Sequence, residues 1–121
     1  MGNSRFVTEE MVNGILEKIS DGGIESLTDL DRNQLKLYNE GDAVIESKID
    51  EAVVLIIELR DEVMKQVRNG GVGSKSPSQQ LLNMSKLGKI KYDLYKDYGV
   101  DPHHPTIEQM IGSKITIHDN Q

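Results

Sequence analysis

The feature that most constrains the fold is a regular alternation of aliphatic residues between Ala43 and Val67, spaced four and three positions apart. We call this set the seam; it comprises Ile45, Ile49, Ala52, Ile56, Leu59 and Val63. Such spacing places the side chains along one stripe of an α-helix that packs lengthwise against another helix. The apolar run from Ala52 to Ile57 extends to other sides of that helix, which should therefore be covered on more than one face. The sequence predicts an all-α helical bundle or hairpin around one long central helix, at about residues 43–68.

A buried β-strand is the competing interpretation of this region, because Val54, Ile56 and Ile57 are β-branched. The charged residues nearby fall mostly outside the seam. A helix with one buried stripe explains this distribution, whereas a strand does not. They are Glu46, Asp50, Glu51, Glu58, Arg60, Asp61 and Glu62. We therefore predict a helix.

Three further helices follow from capping signals. Thr8 should begin the first helix, and Gly22 and Gly23 should end it. Thr28, with Asp31 three residues later, should begin a second helix that stops near Gly41. Ser76 and Pro77 indicate the start of a fourth helix that reaches Tyr98, with apolar residues on one side: Leu81, Met84, Leu87, Leu94, Tyr95 and Tyr98, flanked by Leu82 and Ile90.

The ends of the chain lack a strong helical pattern. Residues 1–7 are predicted to be a flexible arm, residues 8–99 a helical domain, and residues 100–121 an extended tail that serves as a docking arm. Pro102 and Pro105 interrupt the start of this tail. Residues 106–111 could form one or two helical turns. The alternation Ile115-Thr116-Ile117 would suit an edge strand added to a partner, although three residues are few for a strand.

Composition limits the class of protein. A chain of 121 residues forms one domain with a small core, and the absence of cysteine is typical of a reducing compartment. No apolar run is long enough to span a membrane. We expect a soluble protein of the cytoplasm, or of a particle assembled there such as a virion. Residues 1–62 hold fifteen acidic and six basic residues, a net charge of −9, whereas residues 63–121 hold five and eight, a net charge of +3.

Residues 15–35 read as a short helix–turn–helix segment: Ile15-Leu16-Glu17-Lys18-Ile19-Ser20, then Gly23 to Thr28, then Asp31-Arg32 and Leu35. This segment resembles the tails of rhomboid-like proteins of Bacteroidetes and of phage proteins of unknown function. It covers roughly one fifth of the chain, and no catalytic rhomboid residues accompany it. The resemblance implies a bacterial or bacteriophage origin, and it implies nothing about activity.

Two groups of residues are similar to known ligand sites but lack the required context. The segment from Gly70 to Ser76 is rich in glycine, as phosphate-binding loops are, but Ser74 separates the last glycine from Lys75 and a helix precedes it. His103, His104 and His118 lie in the tail, where neighbouring histidines point apart. We predict no metal, no cofactor and no catalytic residue, hence no enzyme.

The predicted function is protein–protein interaction or a structural subunit, most simply a homo-oligomer that assembles through the seam. The alternative is a nucleic-acid-binding regulator that uses the basic fourth helix, through Lys86, Lys89, Lys91, Tyr92 and Lys96. A third possibility is a small acidic inhibitor or immunity-type protein that presents its acidic half to a basic partner.

Overall fold

The computed structural model of the protein describes residues 3–68, 70 and 77–121. Within these residues it has five α-helices and no strand: α1 (Glu9–Gly22), α2 (Asp29–Glu40), α3 (Ala43–Arg68), α4 (Pro77–Tyr98) and α5 (Pro105–Asp119). A 3₁₀ turn at Ile24–Ser26 separates α1 from α2. The predicted all-α class is confirmed, and the long central helix is α3.

The first two helices begin at the predicted threonine caps. The Thr8 hydroxyl accepts a hydrogen bond from the Met11 backbone N–H at 3.2 Å. At α2, the Asp31 N–H donates to the Thr28 hydroxyl, and the Thr28 N–H donates back to the Asp31 carboxylate, each at 3.1 Å. These bonds satisfy N–H groups that no helical carbonyl reaches, so each cap fixes where its helix starts.

Helix α3 is the axis of the molecule, with α4 on one side and α5 on the other. Asn83, early in α4, meets Glu58, and the last turn of α4 meets α2, so α4 runs antiparallel to α3. In contrast, α5 starts near Glu46 and ends where Asp119 reaches Arg60, so it runs in the same direction as α3. The α1–α2 hairpin lies at the N-terminal end of α3, which we call the proximal end.

The hydrophobic core lies at this proximal end. Its largest fully buried side chains come from four of the five helices: Leu37, Ile45, Ile49, Leu94 and Ile107. Burying each of them contributes about 1.5–3 kcal/mol. The core therefore ties α2, α3, α4 and α5 together at one end of the molecule.

The carboxyl end of α4 is anchored to α2 by side-chain amides. Asn33 donates to the Asp97 carbonyl at 2.8 Å, and Gln34 donates to the Tyr98 carbonyl at 3.2 Å. Gly99 then leaves the helix at φ +67°, and a Cβ on it would lie 2.8 Å from the Gln34 amide nitrogen. Only glycine fits this exit, which fixes the proximal end of α4.

The prediction of an extended tail at residues 100–121 is wrong, because residues 105–119 form α5. Pro105 lies in the first turn of α5, where a backbone N–H has no helical carbonyl to bind, so the N–H that proline lacks is not needed. The His104 ring nitrogen accepts a hydrogen bond from the Thr106 N–H at 3.1 Å. Ile107 is 1% exposed. Ile115 to Ile117 lie in the helix, so the expected edge strand is absent from this segment.

The prediction of a flexible arm at residues 1–7 is wrong for residues 3–7, which the structure describes. The Asp42 carboxylate accepts from the Ser4 hydroxyl at 2.6 Å and from the Arg5 N–H at 2.7 Å. Val7 is 2% exposed in the core, and the Phe6 ring meets the His104 ring edge-on at 5.6 Å. These contacts hold the segment against α3 and the start of α5.

Candidate interaction surfaces

The seam is covered at one end of α3 and uncovered at the other. Ile45, Ile49 and Ala52 are buried, at 0%, 1% and 3% exposure. Ile56 and Leu59 are half-buried, and Val63 is 56% exposed. The seam is continuous in sequence, so the loss of cover comes from the neighbours of α3 and not from its own pattern.

The cover ends because α5 ends. Arg60 donates two hydrogen bonds to the Asp119 carboxylate, at 2.9 and 3.0 Å, in the last turn of α5. These bonds lower the pKa of Asp119 and raise the pKa of Arg60. Past Arg60, among the described residues, α4 is the helix that still accompanies α3. We call this part, residues 56–68 of α3 and 79–87 of α4, the distal hairpin.

The two helices of the distal hairpin face each other with polar side chains. Glu62 and Asn83 are each 3% exposed. The Asn83 amide donates to Glu58 at 3.3 Å and accepts from Gln79 at 3.2 Å. The Gln80 amide nitrogen is buried and has no hydrogen-bond partner among the residues that the structure describes. These hydrogen-bonded polar side chains help to fix the register of the two helices.

Several apolar side chains of the distal hairpin are exposed instead. Six of them are 48–77% exposed, and together we call them the distal surface: Val63, Met64, Val67, Leu81, Leu82 and Met84. They lie on more than one side of the hairpin, since Leu82 and Met84 are about 160° apart around α4. The predicted apolar side of α4 is therefore only partly right, since the side that packs inward carries Asn83, Leu87, Ile90 and Leu94. Leu81, Met84 and Tyr95 are exposed. An amphipathic helix normally has the opposite arrangement, with its aliphatic stripe inward.

Four of the five residues predicted to contact nucleic acid lie on one broad side of α4, because Lys86, Lys89, Tyr92 and Lys96 fall within about 120° around the helix axis. Lys86 and Lys89 border a groove between α3 and α4, and Lys89 pairs with Asp93 at 3.1 Å. Lys91 lies five residues after Lys86, about 140° around the helix, and is half-buried. The structure thus brings Lys86 and Lys89 together and separates Lys91 from them.

Two tyrosines on α4 are more exposed than a core role requires. Tyr92 and Tyr95 are 57% and 66% exposed, and the Lys96 ammonium lies 5.7 Å from the centre of the Tyr92 ring. Tyr98 is half-buried, and its pKa is raised by that burial and by the nearby Asp97 charge. Tyr92, Tyr95 and Lys96 therefore form an accessible aromatic and basic strip near the end of α4.

The histidines lie at opposite ends of α5. His104 caps its start, whereas His118 is in its last turn, about 20 Å away along the axis. His103 lies 3.9 Å from Glu108. In the described ranges, no three His, Cys, Asp or Glu side chains are grouped as ligands of a metal ion would be. The glycine-rich segment from Gly70 to Ser76 lies, except for Gly70, outside the described residues.

Comparison of the chain with family models, with curated proteins and with solved structures gave no match. The resemblance of residues 15–35 to rhomboid-like and phage proteins therefore stays a prediction. None of the helices in the described ranges combines the length and the hydrophobicity that crossing a bilayer requires.

Proposed function

We propose that this protein is a non-enzymatic structural subunit whose copies bind one another through the distal surface. The observation that carries the proposal is the reversed polarity of the distal hairpin. Glu62 and Asn83 are 3% exposed between its helices, whereas Val67 and Leu81 are 77% and 63% exposed. A hairpin that remained isolated in water would be more stable with its aliphatic side chains between the helices.

A second copy supplies what the distal hairpin lacks. Two antiparallel helices alone enclose no core, but two such hairpins form a four-helix bundle, in which aliphatic residues of all four helices meet. In that arrangement, Ile56, Leu59 and Val63 continue the buried stripe that Ile45 begins. A two-fold axis lets the same residues of both copies form the contact, so no additional partner is needed.

The distal hairpin exposes a group of large apolar side chains that could contribute to such a contact. The six residues of the distal surface each leave about half or more of their area exposed. Hydrophobic residues exposed singly are normal on a protein surface, whereas a group of them indicates an interaction site. Stable interfaces bury roughly 800 Å² on each partner. A contact of that size would also include half-buried Ile56 and Leu59 and polar residues around the distal surface. The short resemblance described above would suit a subunit of a bacterial or bacteriophage particle.

The test is the mass in solution, measured by light scattering during size-exclusion chromatography over a dilution series. We expect twice the 13.5 kDa of one chain, or a higher multiple, at high protein concentration. The double variant Val63→Glu, Leu81→Glu places charges on the distal surface and should elute as a monomer with unchanged helical circular dichroism. Both side chains are exposed in the single chain, so the fold itself should tolerate the change.

A matched control is Leu16→Glu on α1. Leu16 is 51% exposed, close to the exposure of Val63, but it lies at the proximal end. This variant should keep the mass of the unmodified protein. A mass of 13.5 kDa at every concentration would contradict the proposal, and so would dissociation by Leu16→Glu alone.

A second candidate function rests on the strip formed by Tyr92, Tyr95 and Lys96. Exposed aromatic rings beside a lysine are the groups that stack on bases and neutralise phosphates in single-stranded nucleic acid. Filter binding of single-stranded RNA and DNA at low salt tests it. Retention that is lost in Tyr95→Ala and at higher salt would support it, whereas no retention at low salt would remove it.

A further inference from the structure

An open groove lies between α3 and α4 on the side of α3 that faces away from the seam. Val54, which lies in this groove, comes nine residues after Ile45 and therefore half a turn around the helix. The groove has a volume of about 480 Å³, and apolar side chains form its floor: Val54, Leu55 and Ile90. Its rims carry charged side chains: Lys48, Glu51, Lys86, Lys89 and Asp93.

The charges on the rims are unequally satisfied. Lys89 is already paired with Asp93. Lys48 lies three residues before Glu51 on the same helix, a spacing at which opposite charges attract each other weakly. Lys86, on the opposite wall, forms no ion pair or hydrogen bond with any residue in the described part of the chain. The groove thus combines an apolar floor with an available ammonium group at one end.

We propose that this groove binds a medium-chain fatty acid. The alkyl chain lies on Val54, Leu55 and Ile90, and the carboxylate binds the Lys86 ammonium group. The charge of Lys86 fits a carboxylate, and the apolar floor fits an unbranched hydrocarbon chain. A volume of about 480 Å³ lies within the roughly 300–1,000 Å³ of small-molecule sites.

The dimensions of the groove favour a small ligand over a docked helix. From Lys48 to Leu55 the wall formed by α3 is about 10 Å long, or two helical turns. The anchors of a docked helix, from i to i+7, would themselves span about 10 Å and occupy the whole wall, and the rest of such a helix would extend beyond the groove. Val63 lies nine residues after Val54 and therefore half a turn around α3 from the groove, whereas Leu82 lies on the same side of α4 as Lys86. Occupancy of the groove and self-association through Val63 have separate tests.

The probe is decanoate, titrated below its micelle concentration into the full chain labelled with ¹⁵N. We expect saturable shifts below about 1 mM that are concentrated at the amides of Val54, Lys86 and Ile90. Decanol has the same chain without the charge, and butyrate has the charge without a long chain. Both should bind more weakly than decanoate.

Two variants assign the contacts. Lys86→Gln removes the ammonium group and should weaken decanoate about threefold to fivefold. Val54→Ser shortens the apolar floor at a side chain that is 55% exposed and should weaken decanoate about fivefold without unfolding the chain. The control Lys36→Gln changes an exposed lysine of α2 outside the groove and should leave the affinity unchanged.

The proposal is overturned if decanoate gives no saturable shift below about 1 mM. It is also overturned if decanol binds as tightly as decanoate, because the charge of Lys86 is then not used. Shifts of the same amides on raising the protein concentration alone, with no ligand present, would assign the groove to a second copy and contradict it as well.

Discussion

The two halves of α3 carry the same aliphatic pattern, but one half is buried and the other is largely exposed. In the proximal half, Ile45 and Ile49 are at most 1% exposed beneath side chains from the neighbouring helices. In the distal half, Val63 and Val67 are 56% and 77% exposed. Sequence periodicity thus determines that a helix has an apolar stripe, but the lengths of the neighbouring helices determine whether one chain covers it.

The largest expected difference between the halves is in the cost of removing an aliphatic side chain. Ile49→Ala should lower the free energy of unfolding by about 2–5 kcal/mol, because it leaves a cavity in a packed core. Val63→Ala should cost less than about 1 kcal/mol in the monomer, since water already reaches that side chain. Urea denaturation at low protein concentration measures both.

The same pair of variants sharpens the comparison at high protein concentration. If the distal surface is buried in an assembly, the loss of stability caused by Val63→Ala should increase with protein concentration. The loss caused by Ile49→Ala should not increase in the same way. Equal costs for the two variants at low concentration would show that the halves do not differ as described.

Much of this fold was predictable because its signals are local. The seam predicted α3, and the threonine caps predicted the starts of α1 and α2. Helix α5 was expected only as one or two turns at residues 106–111, because Pro102 and Pro105 suggested an extended chain, although Pro105 in fact starts the helix. The spacing of Ile107, Ile111 and Ile115, four residues apart, is the signal that would have identified it. The fixed position of Val7 depends on contacts with residues distant in sequence, which no local pattern shows.

The second prediction concerns a buried polar group at the proximal end. Asp31 is 6% exposed; burial raises its pKa, but hydrogen bonds from Lys18 and Thr28 outweigh that effect and hold the pKa below its usual value. Asp31→Ala removes the capping box and should cost about 1–2 kcal/mol. Asp29→Ala, an exposed change in the same helical turn, is the control and should cost less.

Because the pKa of Asp31 is lowered, the stability that its carboxylate contributes depends on pH. The carboxylate stabilises the fold above the pKa of the unfolded chain, about 3.9, and the contribution is lost as the pH falls through the lower pKa of the folded state. The difference between the unmodified protein and Asp31→Asn should therefore shrink on acidification below about pH 4. A difference that stays constant from neutral to strongly acidic pH would contradict the assignment.

In the distal hairpin, replacing a buried polar group should increase the stability of the fold, whereas replacing Asp31 should decrease it. The Gln80 amide nitrogen is buried without a hydrogen-bond partner in the described part of the chain, so Gln80→Met should stabilise the monomer by about 0.5–1 kcal/mol. Gln79 donates a hydrogen bond to Asn83, so Gln79→Met should be slightly destabilising. Thermal denaturation of the two neighbouring variants distinguishes them, and destabilisation by Gln80→Met would show that its amide is in use.

The smallest effect is expected where α5 ends and the two halves meet. The hydrogen bonds from Arg60 that lower the pKa of Asp119 lie at the surface, where ion pairs add little to global stability. Asp119→Asn should leave the melting temperature unchanged within error and speed amide hydrogen exchange in the last turn of α5. Glu108→Gln, in the first turn, is the control and should not affect exchange there.

The candidate sites were less predictable than the fold. The seam was identified from its spacing, but the exposure of Val63 depends on Asp119 ending α5 beside Arg60. Met64, Val67 and the distal residues of α4 were missed as a surface, because their outward direction follows from the polar contact at Asn83. The groove at Val54 joins two helices about thirty residues apart in sequence, and only their packing brings its walls together.

The most direct test of the central claim is the distance between copies, measured by electron spin resonance on spin-labelled protein. The chain has no cysteine, so Ser85→Cys in the distal hairpin and Ser20→Cys on α1 each give one exposed labelling site. We predict a short, narrow distance distribution between copies labelled at position 85 and a much longer distance between copies labelled at position 20. The absence of any coupling between copies at position 85, or a shorter distance at position 20, would contradict assembly through the distal surface.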